Sequence, residues 1–157
     1  MKRQEFVNLL INEMYKNEKI FLLTGDLGFG LFDDIRKDFP NRFINVGSCE
    51  QLMIGLAVGL SYEGWIPLCY SITPFLLYRP FEFIRNYLNH ELANVKLVGG
   101  GRDKDYKNLG FSHWAEDDVK IISSLENIEI YKPEKMSSKI FYDFIYNNKP
   151  SYINLIR

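Results

Sequence analysis

The sequence predicts an α/β fold: a doubly wound, six-stranded, mainly parallel sheet with helices on both faces. Three observations carry that expectation. Six short β-type runs alternate with helix-type segments along the chain, the pattern of successive βα units. Several of those runs are apolar at nearly every position, which suits strands covered on both faces. The 157 residues are 46% hydrophobic and 25% charged, enough apolar material for one full core and typical of a globular chain. No internal repeat, low-complexity tract or linker divides them, so a single domain over 1–157 is expected.

Phe6, Leu9, Leu10 and Met14 recur at helical spacing within residues 3–17, opposite Arg3, Glu5, Asn8 and Asn12. A strand over 20–24 follows and runs into a glycine-rich stretch from Gly25 to Gly30. A short helix over about 32–38 stops before Pro40, and a strand over 42–46 leads through Gly47-Ser48-Cys49 into a helix from about Glu50 to 64. The next strand, 66–71, is followed by an aromatic-rich segment opened by Thr73-Pro74. Its helix is expected to start at about Tyr78 or Pro80 and to end near 89, since proline suits a first helical turn better than an interior. A buried-type strand over 95–98 closes on Gly99-Gly100-Gly101, and a polar loop occupies 101–112. A helix over 115–125, a strand over 128–131, a helix over 134–147 and a strand over 152–156 complete the chain.

The net charge of -1 gives no electrostatic reason to expect nucleic acid or an anionic membrane as a partner. The longest apolar run, 53–60, is too short to span a bilayer, and Asn8, Asn12 and Glu13 interrupt the first helix where a signal peptide is apolar. Cys49 and Cys69 lack metal-ligand spacing and read as reduced, buried thiols, which fits a cytoplasmic protein. His90 and His113 stand far apart in no ligand cluster, so no metal site is expected on this chain.

In a doubly wound sheet the loops after the carboxyl ends of the strands form the functional edge. Asp26, Glu50, Thr73-Pro74-Phe75 and the loop of residues 100–113 with His113 all fall there. Glu50 stands out. A carboxylate at a strand-to-helix junction, followed at once by Leu52 and Met53, is badly placed for a solvated charge, and burial favours its protonated form. Position alone favours a helix-start glutamate that faces water and complements the helix dipole. The glycines at 25, 28 and 30 match neither a P-loop nor a dinucleotide fingerprint, and read as an ordinary tight turn.

Phe43-Ile44-Asn45-Val46-Gly47, Glu50-Gln51, Met53-Ile54-Gly55, Ala57 and Gly59-Leu60 together resemble the signature of the pyrimidine-binding domain of transketolase-like thiamine diphosphate enzymes. The likeness continues through Glu63-Gly64, Ile66-Pro67, Pro74-Phe75-Leu76, Arg79, Glu82 and Ile84-Arg85-Asn86. It resumes at Val95-Lys96-Leu97-Val98-Gly99, Leu109-Gly110, Ser112-His113, Glu116-Asp117 and Lys132-Pro133, and closes on Pro150-Ser151-Tyr152-Ile153, Leu155 and Arg157. It covers about residues 20–157 with its motifs in order.

The resemblance implies that Glu50 hydrogen-bonds a ring nitrogen of the cofactor's aminopyrimidine and favours its imino form. That group removes the thiazolium proton, and the resulting carbanion attacks a carbonyl. It also implies that Phe75 stacks on the pyrimidine with Tyr78 completing the wall, although both also suit a plain core. Asp26 and Leu27 match positions beside the thiazolium, and Asp26 alone would serve as a turn former. His113 matches a histidine that reaches the substrate or the reacting carbon, and Arg157 an arginine that meets a sugar phosphate. Gly30 replaces a frequent phosphate-contacting serine, Trp114 a second histidine and Leu52 an asparagine, so the pocket departs from the usual sugar-phosphate pattern.

The family also uses a diphosphate-binding domain with a Gly-Asp-Gly motif and a downstream asparagine that hold Mg2+ and the cofactor's phosphates. No Gly-Asp-Gly occurs in these residues. The implied assembly is therefore a split enzyme, an α2β2 heterotetramer in which a diphosphate-binding (N-terminal-section) transketolase subunit holds Mg2+. The reaction expected is two-carbon ketol transfer on a small sugar. The alternatives are a thiamine-dependent 2-oxo acid decarboxylase or carboligase subunit, and a non-catalytic relict that only binds a partner.

Overall fold

In a computed structural model describing residues 2–135 and 137–157, six strands form one sheet in which every pair is parallel. The elements are α1 (Arg3–Met14), β1 (Ile20–Thr24), α2 (Asp33–Asp38), β2 (Phe43–Asn45), α3 (Glu50–Tyr62) and β3 (Ile66–Ile72). They continue with α4 (Thr73–Tyr78), α5 (Phe81–Phe83, prolonged by a π-helical stretch Ile84–His90) and β4 (Lys96–Gly100). Last come α6 (Asp118–Ile122), β5 (Glu129–Tyr131), α7 (Ser138–Tyr146) and β6 (Ser151–Leu155).

The strand order β2-β1-β3-β4-β6-β5 places the switch in winding direction between β1 and β3, which pair from Ile20↔Ile66 to Thr24↔Tyr70. The α2 crossover leaves β1 to one side, and the α3 crossover brings the chain back to its other side. The loops at that point diverge and leave a crevice above the carboxyl ends of β1 and β3.

The alternation along each strand divides the core into two layers. Ile20, Leu22, Leu68, Tyr70, Val98 and Ile153 face α1, α2 and α7 through Phe6, Leu10, Met14, Ile35, Phe141 and Phe144. Phe21, Leu23, Cys69, Leu97 and Tyr152 face α3 to α6 through Met53, Ile54, Ala57, Leu76, Leu77, Ile84 and Ile122. Central strands buried on both sides are the reason those runs read as continuously apolar.

Four expectations need correction. The helix after β3 starts at Thr73, not at Tyr78 or Pro80. Pro74 sits in its first turn, where its missing N–H costs nothing, while Pro80 opens the next helical segment. The helix placed at 115–125 shrinks to Asp118–Ile122, because Ala115 is drawn into a bridge with Asp103. The polar loop carries two 3-10 turns, Lys107–Leu109 and Phe111–His113. The helix expected from 134 begins at Ser138, capped by the Ser137 hydroxyl, which accepts from the Ile140 N–H at 3.2 Å. Met136, in that expected span, lies outside the described residues.

Candidate active site

Glu50 is the first residue of α3 and is 1% exposed. The turn that delivers it needs a left-handed residue, supplied by Gly47 at φ 73°. Asn45, the last residue of β2, brackets that turn against the one after β1: its side-chain oxygen accepts from the Gly47 N–H at 3.0 Å and the Asp26 N–H at 2.9 Å. Its amide also donates to the Asp26 carboxylate at 3.3 Å. Gly25 leaves room for the carboxylate, since a Cβ there would lie 3.2 Å from Glu50 Oε1. The burial expected of Glu50 is therefore found, but its source differs. Met53 is buried in the core, whereas Leu52 is 50% exposed.

Both carboxylate oxygens act as acceptors. Ser71 Oγ, at the end of β3, donates to Oε1 at 2.9 Å, and Arg79 Nη1 donates to Oε2 at 2.7 Å. The same guanidinium lies over the Phe75 ring with Cζ 3.9 Å from its centroid, a cation–π contact. Arg79 and Phe75 meet because α4 starts at Thr73, so residues four apart share a face. Thr73 ties this segment to the neighbouring loop by donating to the Gly101 carbonyl at 2.8 Å.

His113 packs edge-to-face on Phe75, centroids 4.8 Å apart at 70°, and its Nδ1 is 3.0 Å from Ser112 Oγ. Its ring is 6.1 Å from Tyr106, and Arg157 lies over Tyr106 with Cζ 4.9 Å from the centroid. The Arg157 backbone N–H donates to Asp105 at 3.0 Å. A continuous row of Glu50, Arg79, Phe75, His113, Tyr106 and Arg157 thus crosses the carboxyl edge of the sheet. Glu50, Phe75 and His113 come together there, and Arg157 reaches them through Tyr106.

The other expected residues sit at its margins. Asp26 adopts a left-handed conformation at φ 58°, held by Asn45, which supports its reading as a turn former. Leu27 is half-buried against the α1–α2–α7 layer. The Tyr78 hydroxyl donates to Asp117, and this burial and pairing push its pKa well above the ordinary tyrosine range. The thiol expectation needs correction: Cys69 is buried, and burial raises its pKa, but Cys49 is exposed beside Glu50. Sequence reasoning assigned no role to Arg79, Ser71 or Tyr106. Arg79 was present in the motif, and only the misplaced helix start hid its spacing from Phe75.

Behind the row lies a buried polar cluster. Asp118 accepts from the Tyr152 hydroxyl at 2.7 Å and from the Asn154 amide. Arg102 donates to Asn154 Oδ1 at 3.0 Å and to its carbonyl at 2.8 Å. These bonds fasten both ends of the loop that carries His113. Among the described residues no group of His, Cys, Asp and Glu is arranged to hold a metal ion, and no helix is long and apolar enough to cross a membrane.

A doubly wound parallel sheet with a buried glutamate over its switch point defines a class of α/β protein with its site on the carboxyl edge. The particular family follows from sequence. Residues 2–153 match the transketolase pyrimidine-binding domain, and the chain belongs to that family. It is 29% identical, over 99% of its length and 49% of the relative's, to a 6-deoxy-6-sulfo-D-fructose transketolase subunit from Clostridium sp. (strain MSTE9). Identity is 32% to an apulose-4-phosphate transketolase subunit of Actinobacillus succinogenes, over 76% of this chain and 39% of that one. It is 33% to a putative transketolase C-terminal section from Methanocaldococcus jannaschii, over 83% of this chain and 42% of that one. A solved split-gene transketolase, described as an inactive β4 tetramer, superposes with TM-score 0.85 at 31% identity, covering 99% of this chain and 50% of that one. Transketolase from Leishmania mexicana shares the fold at TM-score 0.83 and 17% identity, over 97% of this chain and 24% of that one. The chain spans half or less of the length of these relatives.

Proposed function

We propose that this chain is the pyrimidine-side subunit of a split, thiamine diphosphate-dependent transketolase-like enzyme that transfers a two-carbon ketol unit. The observation that carries the reading is the convergence of a buried carboxylate, Glu50, and an aromatic face, Phe75, on one flat space. A guanidinium fills that space by hydrogen-bonding the first and stacking on the second. A planar, nitrogen-bearing aminopyrimidine makes the same two demands, so the residues present fit that half of the cofactor. When bound, the cofactor supplies the carbanion equivalent that a ketol transfer needs.

The work of this chain is orientation and proton handling. Glu50 holds the ring nitrogen from a site where burial and Ser71 set its direction. Phe75 sets the plane of the ring. His113, edge-on to Phe75, is placed to pass a proton to or from the substrate, a step to which an imidazole is suited. Arg157 on Tyr106 offers a cation to an anionic sugar substrate. The diphosphate and Mg2+ belong to a separate diphosphate-binding subunit in an α2β2 assembly, and the pair works in the cytoplasm.

Mixing this chain with that partner and titrating thiamine diphosphate with Mg2+ by calorimetry tests the reading. Saturable binding to the mixture and little to the chain alone is expected. Tight binding to the isolated chain, or none to the mixture, sinks it.

A further inference from the structure

Arg79 occupies the place the proposed cofactor needs. Its guanidinium is a flat cation whose Nη1 donates to Glu50 Oε2 at 2.7 Å while its Cζ lies over the Phe75 ring, 3.9 Å from the centroid. A protonated aminopyrimidine is likewise flat, and its ring N–H would offer the carboxylate a donor in the same place while its face met the Phe75 ring. Both cannot lie between Glu50 and Phe75 at once. The two side chains are also unequally held. Glu50 is 1% exposed and fixed by Ser71, whereas Arg79 is 45% exposed and sits at the open end of α4. The partner free to leave is therefore the arginine.

We propose that Arg79 is a competing occupant of the pyrimidine seat: it keeps Glu50 paired in the unloaded subunit and must swing away for the ring to enter. The idea rests on the functional reading above. It makes Arg79 a positioning residue that sets cofactor affinity through Glu50. Apparent affinity is lowered by the fraction of molecules in which the seat is open, and removing the occupant restores it.

The test uses the chain mixed with its diphosphate-binding partner, thiamine diphosphate as probe, and two readouts apart from turnover. In nitrogen-labelled chain, the Arg79 guanidinium N–H resonance should lose its ion-paired position when thiamine diphosphate saturates the mixture. By calorimetry, Arg79→Met should bind the probe roughly tenfold more tightly than the unaltered chain. Arg79→Lys, which keeps a cation for Glu50 but loses the flat fork, should fall between them. Circular dichroism of each variant, and its co-elution with the partner, identify any variant that has not folded or assembled. An Arg79 resonance unmoved by bound probe, or a weaker affinity in a folded and assembled Arg79→Lys variant, overturns the proposal while leaving the functional reading intact. If the probe binds neither the unaltered mixture nor either variant, the functional reading fails and this inference with it.

Discussion

Glu50 and Lys96 are both charged residues inside the core, and their surroundings treat them differently. Glu50 has a guanidinium and a hydroxyl as partners. Replacing it by glutamine keeps the size and the Ser71 contact, so Glu50→Gln should fold and assemble with the partner normally. Turnover by the mixture should drop by a factor of about 100 or more, the scale of a lost proton-handling group. Lys96 instead relies on neutral acceptors. Its ammonium donates to Asn147 Oδ1 at 2.6 Å and to the Lys149 carbonyl at 2.7 Å. Burial lowers its pKa from 10.5 to about 7, with Asp143 opposing the shift. Between those two values the unfolded chain binds more protons than the folded one, so stability rises with pH and is lost as pH falls toward 7. Urea denaturation should show stability higher at pH 9 than at pH 7 by about 2 kcal/mol. Lys96→Met should flatten that rise. The comparison between pH 7 and pH 9 lies below the tyrosine titrations, where Tyr131 and Tyr152 have raised pKa values that act in the opposite direction.

At the scale of elements, the site depends on two turns being held in register. Asn45 is the clasp, accepting from Asp26 and Gly47 and donating to Asp26. Asn45→Ala removes all three bonds. Because the clasp is exposed, the cost should be about 1 kcal/mol in urea denaturation, with a larger effect on cofactor affinity of the assembled mixture, since the turn after β2 delivers Glu50. The helix after β3 shows why element boundaries matter for function. Starting the helix at Thr73 puts Phe75 and Arg79 on one face; a start at Tyr78 leaves them unrelated. Gly55 and Gly59 also separate at this scale. A Cβ on Gly55 would lie 3.4 Å from Phe83 of the same chain, whereas Gly59 meets open space.

At the scale of the whole molecule, the row on the carboxyl edge brings a buried carboxylate, an aromatic ring and a cation together, which the proposed function reads as a pyrimidine seat, while the described residues show no grouping for a metal. Large apolar side chains remain exposed at that edge, including Phe29 at 64% and Phe111 at 81%, as expected of a surface completed by another chain. Thiamine diphosphate with Mg2+ should therefore raise the melting temperature of the chain–partner mixture and leave that of the chain alone unchanged, because a ligand stabilises only the state that binds it. Differential scanning calorimetry of the two samples checks this. Equal shifts in both would place the whole site on this chain.

The sequence by itself determined the α/β class, the parallel sheet, its strand runs and the edge where chemistry gathers, because apolar periodicity and turn residues act locally. The motif around Glu50 was legible for the same reason: its residues are contiguous. What the tertiary structure decided is which distant side chains complete the site. Ser71 and Arg79 lie 21 and 29 residues from Glu50, and Arg157 joins only through Tyr106. No local pattern encodes those distances. They arise from the crossover that lays α3 beside β3 and α4, and it was there that Glu50 proved to be buried against an arginine rather than against its neighbour Leu52.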